Sequence, residues 1–359
     1  MYASKVNNNI SNNSIIQEDL EFSANCKSFN VNKLKNKTIL ITGVTGFIGK
    51  QLVLTLLCMN KIHDLNINII AMARNKFKVK NLFSSVLNDK NLSFCIQDIT
   101  ERIDISRNVD FIIHCANPVI SRVFVEQPVE TIEAITLGTN NILKFANEKG
   151  VESVVYLSSM EVYGIIDVPA IRETDYGYID PLNVRSSYSE GKRLAETLCA
   201  SYSSEYKVPV KIIRLSQVFG AGLDYNDSRV LSQFVRSVID KKDIVLHTEG
   251  KTVLTNCYIS DAINGIFTVL LKGQNGESYN LANSANVFSI KQIAELIVED
   301  NPTSKVVLDI QNVSQYRPDT ILKLNTDKIS SLGWTAKIGL KEMLNRTISS
   351  YLEERIICD

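Results

Sequence analysis

Histidine is nearly absent: three residues in 359, none spaced with a cysteine or carboxylate as a metal site requires. No resident metal is therefore expected. Cysteine occurs seven times, an odd and scattered set that never forms a CxxC pair. That usage reads as reduced thiols in a cytoplasmic protein rather than a disulfide framework. An excess of one charge is also missing. Lys plus Arg and Asp plus Glu each number 39, so neither nucleic acid nor an anionic membrane is an expected partner. No apolar run approaches the roughly 18 residues of a membrane span, and the N-terminus lacks a basic-then-apolar signal pattern.

What is present begins with Ile39-Leu-Ile-Thr-Gly-Val-Thr-Gly-Phe-Ile-Gly49. A short apolar strand runs into Gly43, Gly46 and Gly49, and an apolar helix follows. One glycine permits a tight turn, one lets backbone approach a pyrophosphate, and one packs helix on strand. The anion then sits on the positive helix N-terminus. After residue 36 strands and helices alternate. Strands are expected at 37–42, 66–73, 92–97, 109–115, 153–158 and 208–215, with helices such as 132–149 and 189–206 between them. The fold class this implies is α/β: a Rossmann-type doubly wound parallel sheet covered on both faces. The C-terminal third changes to shorter strands (243–246, 278–282, 305–308) and helices near 289–298 and 340–353, with Ser289 as a plausible N-cap. We expect a nucleotide-binding domain over 36–216 with a returning segment within about 240–285. Residues 217–359 would mainly form a smaller C-terminal substrate-binding lobe. Residues 1–35, rich in Asn and Ser with a weak apolar pattern from Ile15 to Phe22, read as an extension, partly disordered or draped on the surface.

The second constellation is Tyr188-Ser-Glu-Gly-Lys192. On a helix, positions i and i+4 share a face. A lysine there would lower the phenol pKa through its positive charge, fitting the tyrosine for proton transfer at an alcohol or carbonyl. Ser159, at the end of the 153–158 strand, places a hydroxyl where strand ends converge.

Thr42-Gly-Val-Thr-Gly-Phe-Ile-Gly49, Asp98-Ile99, His114-Cys-Ala116, Ser158-Ser-Met-Glu-Val-Tyr-Gly164 and Tyr188-x-x-x-Lys192 together resemble the extended short-chain dehydrogenases/reductases, the epimerase/dehydratase family of nucleotide-sugar enzymes. Arg185-Ser-Ser-Tyr-Ser-Glu-Gly-Lys-Arg193, Asn226-Asp-Ser-Arg-Val230, Arg317-Pro-Asp319 and Leu332-Gly-Trp334 are most similar to the UDP-glucuronate decarboxylase branch. The resemblance implies that Tyr188 carries the proton, with Lys192 as its tuner and ribose ligand. Ser159 would hold the substrate oxygen, with Glu161 beside it. Gly43, Thr45, Gly46, Phe47, Ile48 and Gly49 would line the dinucleotide turn. Asp98 would bind the adenine amine, Ile99 would flank the ring, and Ala116 would line the channel. Gln217, Arg229 and Arg317 would face the nucleotide sugar, since a guanidinium fork matches phosphate oxygens. A homodimer is implied as well.

Departures from the family narrow the chemistry. Met160 stands where dehydratases place an acid, and a thioether cannot donate a proton. Leu254 replaces an arginine usual seven residues before Asp261, which weakens the decarboxylase reading. Gln217 and Ile135 each replace a usual Asn. The second strand ends in Ala71-Met-Ala-Arg74-Asn-Lys-Phe-Lys78 with no acid for a 2′-hydroxyl, so Arg74 and Lys78 favour the 2′-phosphate of NADP(H). NAD(H) stays open if Arg74 stacks on adenine and Lys76, Lys78 and Lys80 form a solvated face. Combined, these features lead us to expect an NADPH-dependent reductase of a nucleotide-linked 4-keto-6-deoxysugar, such as dTDP-4-keto-6-deoxyglucose, feeding surface polysaccharide synthesis. The alternatives are a decarboxylase, 4-epimerase or 4,6-dehydratase recycling bound NAD, and, more distantly, a non-catalytic dinucleotide-binding protein.

Overall fold

A computed structural model describes residues 9–118, 121–310 and 319–358. The first described helix is α1 (Ser14–Ala24), capped by the Asn13 side chain, which accepts from the Ile16 N–H. Strand β1 (Thr38–Thr42) leads through the Gly43–Gly46 turn into α2 (Phe47–His63). Then come β2 (Asn68–Ala73), α3 (Lys76–Leu82), β3 (Leu92–Ile96) and β4 (Phe111–His114). They are followed by α4 (Ser121–Glu126), α5 (Pro128–Lys149), β5 (Ser153–Ser159), α6 (Ser187–Glu205) and β6 (Val210–Leu215).

The remaining strands are β7 (Gln217–Phe219), β8 (Ile244–Leu246), β9 (Val253–Tyr258), β10 (Ser278–Leu281), β11 (Val287–Ser289), β12 (Val306–Leu308) and β13 (Ile321–Leu322). Between and after them lie α7 (Val230–Ile239), α8 (Ile259–Lys272), α9 (Ile290–Glu299), α10 (Asp327–Ser330) and α11 (Leu340–Cys358). Seven strands form one parallel sheet in the order β10-β6-β5-β4-β1-β2-β3. This is the expected α/β fold class.

Both faces of that sheet are covered, as the unbroken apolar runs require. Successive residues of β1 divide between them: Ile39 and Ile41 join a core with α1, α2 and α8, whereas Leu40 packs with Ile112, Val154 and Val210 under α5 and α6. Helix α8 packs on the main sheet, and β10 extends it past β6. A smaller layer stands beyond the strand ends. It consists of β11-β9-β13 with β7 paired to β9, and a separate β8–β12 pair. Ser289 closes a full capping box with Gln292 at the start of α9.

The expectation of a draped or disordered extension does not hold for residues 13–29. Ile16, Leu20 and Ala24, spaced one helical turn apart, are at most 4% exposed, and α1 packs on α2, α8 and α11. Their apolar stripe is masked in the sequence because polar neighbours are buried with them. Asp19 accepts from the Tyr258 hydroxyl at 2.6 Å and from Arg346 at 2.9 Å, and the Asn13 amide donates to the Ser350 carbonyl. Each of these buried polar groups thus has a hydrogen-bond partner.

Candidate active site

The C-terminal ends of β1, β2, β3 and β4 form the first part of the site. Gly43 has φ +69°, and a Cβ there would lie 2.8 Å from the Ala116 backbone. A Cβ on Gly49 would meet the Gly43 carbonyl oxygen at 2.5 Å. Gly46 is the N-cap of α2 and has no side chain to cap it. The first turn of α2 therefore presents free N–H groups beside a backbone cradle that any side chain would fill. That is a fit for a dinucleotide diphosphate. Thr45, Phe47 and Ile48 are half-buried around this turn.

Thr42 holds the crevice between β1 and β4 closed at its base. Its hydroxyl oxygen accepts from the Cys115 and Ala116 N–H groups, both at 3.1 Å, and lies 2.7 Å from His114 Nδ1. Burial drives the His114 ring down to about 3, with Lys192 adding to the fall, so the ring is neutral. Asp98 lies at the outer side of the crevice. Hydrogen bonds from Thr100 hold its carboxyl below the ordinary value. Arg74 lies 3.7 Å from that carboxylate with its side chain exposed. Ile99 packs against Gly138 of α5, where a Cβ would approach its side chain to 2.9 Å.

The second part gathers at the end of β5. Ser159 caps the short 3-10 turn Met160–Tyr163, its hydroxyl oxygen accepting from the Glu161 N–H at 3.2 Å. Tyr188, in the first turn of α6, is 8% exposed and stacks on Phe124 of α4 at 4.3 Å. Burial pushes its phenol above the ordinary value. The Glu161 carboxylate adds to that rise, and the Ser159 hydroxyl and Arg185 oppose it. Glu161 receives two 3.0 Å hydrogen bonds from Arg185 and one of 3.1 Å from Ser189.

Lys192 departs from expectation. Its Nζ donates to the Leu157 carbonyl at 2.6 Å, lies over the Tyr156 ring at 4.7 Å, and is 5.7 Å from the Tyr188 ring centre. Burial lowers the lysine itself to about 7, although Glu196 opposes that fall. The phenol is therefore raised rather than lowered, because loss of water outweighs any help from a lysine whose own charge is penalised.

The substrate-side residues are less closely gathered. Gln217 is half-buried on β7 opposite Asn256. Arg229 binds Asp227 at 2.9 Å and the Val218 carbonyl at 3.0 Å, with its guanidinium 6.0 Å from the Phe47 ring. It thus stands near the dinucleotide turn with part of its charge already engaged. Arg317 lies outside the described residues. Met160 and Leu254, remote in sequence, share one apolar cluster with Ile171, Leu322 and Leu324.

Residues that sequence reasoning gave no role include Thr42, His114, Phe124, Arg185 and Ser189. Arg185 was legible in principle, standing three residues before Tyr188 and four before Ser189. Among the described residues, no group of His, Cys, Asp and Glu could hold a metal ion.

Three kinds of similarity bear on this arrangement. Residues 39–282 match the model of the NAD dependent epimerase/dehydratase family. The UDP-glucuronic acid decarboxylase 1 of Xenopus tropicalis is 30% identical over 89% of this chain and 73% of its own length. The UDP-glucuronic acid decarboxylase 5 of Arabidopsis thaliana is 30% identical over 86% of this chain and 87% of its own. Among solved structures, the UDP-glucose 4-epimerase of Thermotoga maritima superposes with a TM-score of 0.76 at 21% identity, covering 89% of this chain and 99% of that one. The dTDP-glucose 4,6-dehydratase DesIV of Streptomyces venezuelae, solved with NAD, gives 0.76 at 24% identity over 89% and 98%. At these identities the structural matches speak for the fold.

Proposed function

Because the chain belongs to the NAD dependent epimerase/dehydratase family, we propose that it acts on a nucleotide-linked sugar through transient oxidation of one ring hydroxyl, with NAD retained between turnovers. The observation that carries this reading is that Ser159, with Tyr188 near it at the end of β5, and the Gly43–Gly49 cradle after β1 stand at the carboxyl ends of the two strands flanking β4 in one parallel sheet. Gly43, Gly46 and Gly49 would hold the cofactor diphosphate, Asp98 the adenine amine and Lys192 the nicotinamide ribose. The bound group supplies a two-electron acceptor at this site. Tyr188 Oη takes the proton of the sugar 4-hydroxyl, and Ser159 Oγ donates to the oxygen as it becomes a carbonyl. The same phenol returns the proton when the ketone is reduced.

The relatives at 30% identity support UDP-glucuronate as the first substrate. Once its C4 is a ketone, the electrons left by departing CO2 are delocalised onto that carbonyl oxygen, which Ser159 and Tyr188 face. Arg74 lies 3.7 Å from Asp98. Sharing its charge this way weakens its pull on a 2′-phosphate, which supports NAD over NADP. The consumed-reductant reading expected from the sequence becomes the second one. Its specific support is that Met160 and Leu254 stand in an apolar cluster and so offer neither an acid nor a cation at their positions.

The test is to incubate the protein with UDP-glucuronate, UDP-glucose or dTDP-4-keto-6-deoxyglucose, without cofactor, with NADH or with NADPH, and to identify products by mass. Loss of CO2 or a new epimer without added cofactor is the expected result. Turnover confined to the keto-sugar plus NADPH would overturn it in favour of the second reading. Val129 and Ile132 on α5 and Leu194 on α6 are exposed, which supports a homodimer formed through these helices. Among the described residues no helix is long and apolar enough to cross a membrane.

A further inference from the structure

One face of α6 grips three consecutive residues of β5. Tyr188 stands near enough to Ser159 for that hydroxyl to act on its phenol, Lys192 Nζ donates to the Leu157 carbonyl at 2.6 Å, and Glu196 accepts from Ser158 Oγ at 2.5 Å. The helical positions are i, i+4 and i+8, so they share a face. Glu196 has no role in the reaction as derived above. Its carboxylate is nevertheless held by Arg214 of β6 at 2.7 Å and 3.1 Å, and the Arg214 guanidinium is fully buried. Arg214 is anchored in turn by the Tyr163 hydroxyl and the Glu173 carbonyl. A buried ion pair of this kind contributes little net stability against an apolar replacement.

We infer that Glu196, clamped by Arg214, is a positioning residue: it fixes Ser158, and through it the adjacent Ser159 hydroxyl, against α6 and sets a carboxylate one helical turn from Lys192 on the same face. Burial opposes the ammonium of Lys192, and Glu196 is the foremost group acting in its favour. The other groups near Lys192 are His114 at the end of β4 and Cys115 just after it, the Tyr156 ring from β5, and Tyr188 and Cys199 from α6. None is an ionised carboxylate. Arg214 holds the Glu196 carboxylate in place through its Nε and Nη2.

The inference rests on the proposed roles of Ser159, Tyr188 and Lys192, and its test separates the two. The full chain, labelled with 13C at lysine, is titrated by NMR with NAD added, and the Lys192 signal is assigned by its loss in Lys192→Arg. Glu196→Gln should lower the titration midpoint by about one unit or more, and Glu196→Asp should restore most of it. The double variant Glu196→Gln with Arg214→Met strands no buried guanidinium and should still lower the Lys192 midpoint, so it answers the question if the single variant fails to fold. An unchanged midpoint in whichever of these folds overturns the inference. Failure of the underlying reading shows differently: Tyr188→Phe would keep full turnover whatever Lys192 does.

Discussion

Arg185 grips the Glu161 carboxylate through two 3.0 Å hydrogen bonds, beside the phenol on which the chemistry depends. The two act on Tyr188 in opposite directions, Glu161 raising its pKa and Arg185 lowering it. Arg185→Gln should therefore move the acid limb of the kcat/KM profile to higher pH, because the phenol must ionise to act as base. Glu161→Gln should move that limb to lower pH. Matching shifts of one sign in both variants would contradict the pairing.

Tyr188→Phe removes the proton carrier and leaves the ring stacked on Phe124. Turnover should fall by about 10²–10⁴-fold, while NAD affinity, measured by calorimetry, changes little. Ser159→Ala should cost about 10²–10³-fold in kcat.

Gly43→Ala places a methyl 2.8 Å from the Ala116 backbone at φ +69°. The strain should lower stability by about 1–3 kcal/mol. Because the same methyl enters the cradle, NAD affinity should fall by about tenfold or more. Equal NAD binding by wild type and variant would remove the cradle from the cofactor site.

Leu20→Ala tests whether α1 is part of the core. Leu20 is 1% exposed, so truncation should cost about 2–5 kcal/mol in denaturant unfolding. A surface helix would lose less than about 0.5 kcal/mol.

The Asp19 carboxyl is raised by burial from 3.8 to about 6. Since the folded value exceeds the unfolded one, its protonated form is favoured by folding. Its contribution to stability is full below about pH 4 and is lost as pH rises through about 6. The stability of wild type relative to Asp19→Asn should therefore decline across that window. A difference that stays flat from pH 4 to 7 would refute the burial effect.

Arg74→Asp should raise the preference for NAD over NADP by about tenfold or more, read as the ratio of dissociation constants. An unchanged ratio would mean that Arg74 does not face the 2′ position.

Much of the fold was legible because continuous apolar strands and glycine punctuation are local signals. Ile39–Ile41 are buried on alternate faces, and the run reads as a parallel strand without knowing its neighbours. Helix α1 was not legible in the same way. Its stripe of Ile16, Leu20 and Ala24 is interrupted by Gln17, Asp19 and Ser23, which are buried too, and only partners as distant as Arg346 make that burial tolerable. The site shows the same division. Tyr188, Lys192 and Ser159 follow from spacing and strand ends. The direction of Lys192 does not, because the Leu157 carbonyl and the Tyr156 ring compete for its Nζ. Likewise, nothing local to Met160 or Leu254 announces that the two belong to one cluster.

The three-point grip of α6 on β5 limits how this chain can change length. Residues 164–186 run between the two elements and include exposed positions such as Tyr178 and Leu182. Insertions or deletions at such exposed positions, away from the Glu173 carbonyl that anchors Arg214 and from Arg185, leave the grip intact. A single residue gained or lost between Tyr188 and Glu196 would turn the later side chains by about 100° away from their strand partners. Variation in length is thus expected to collect before the helix and to stop at its first turn, so that substrate range can diverge while the proton-transfer apparatus keeps one frame.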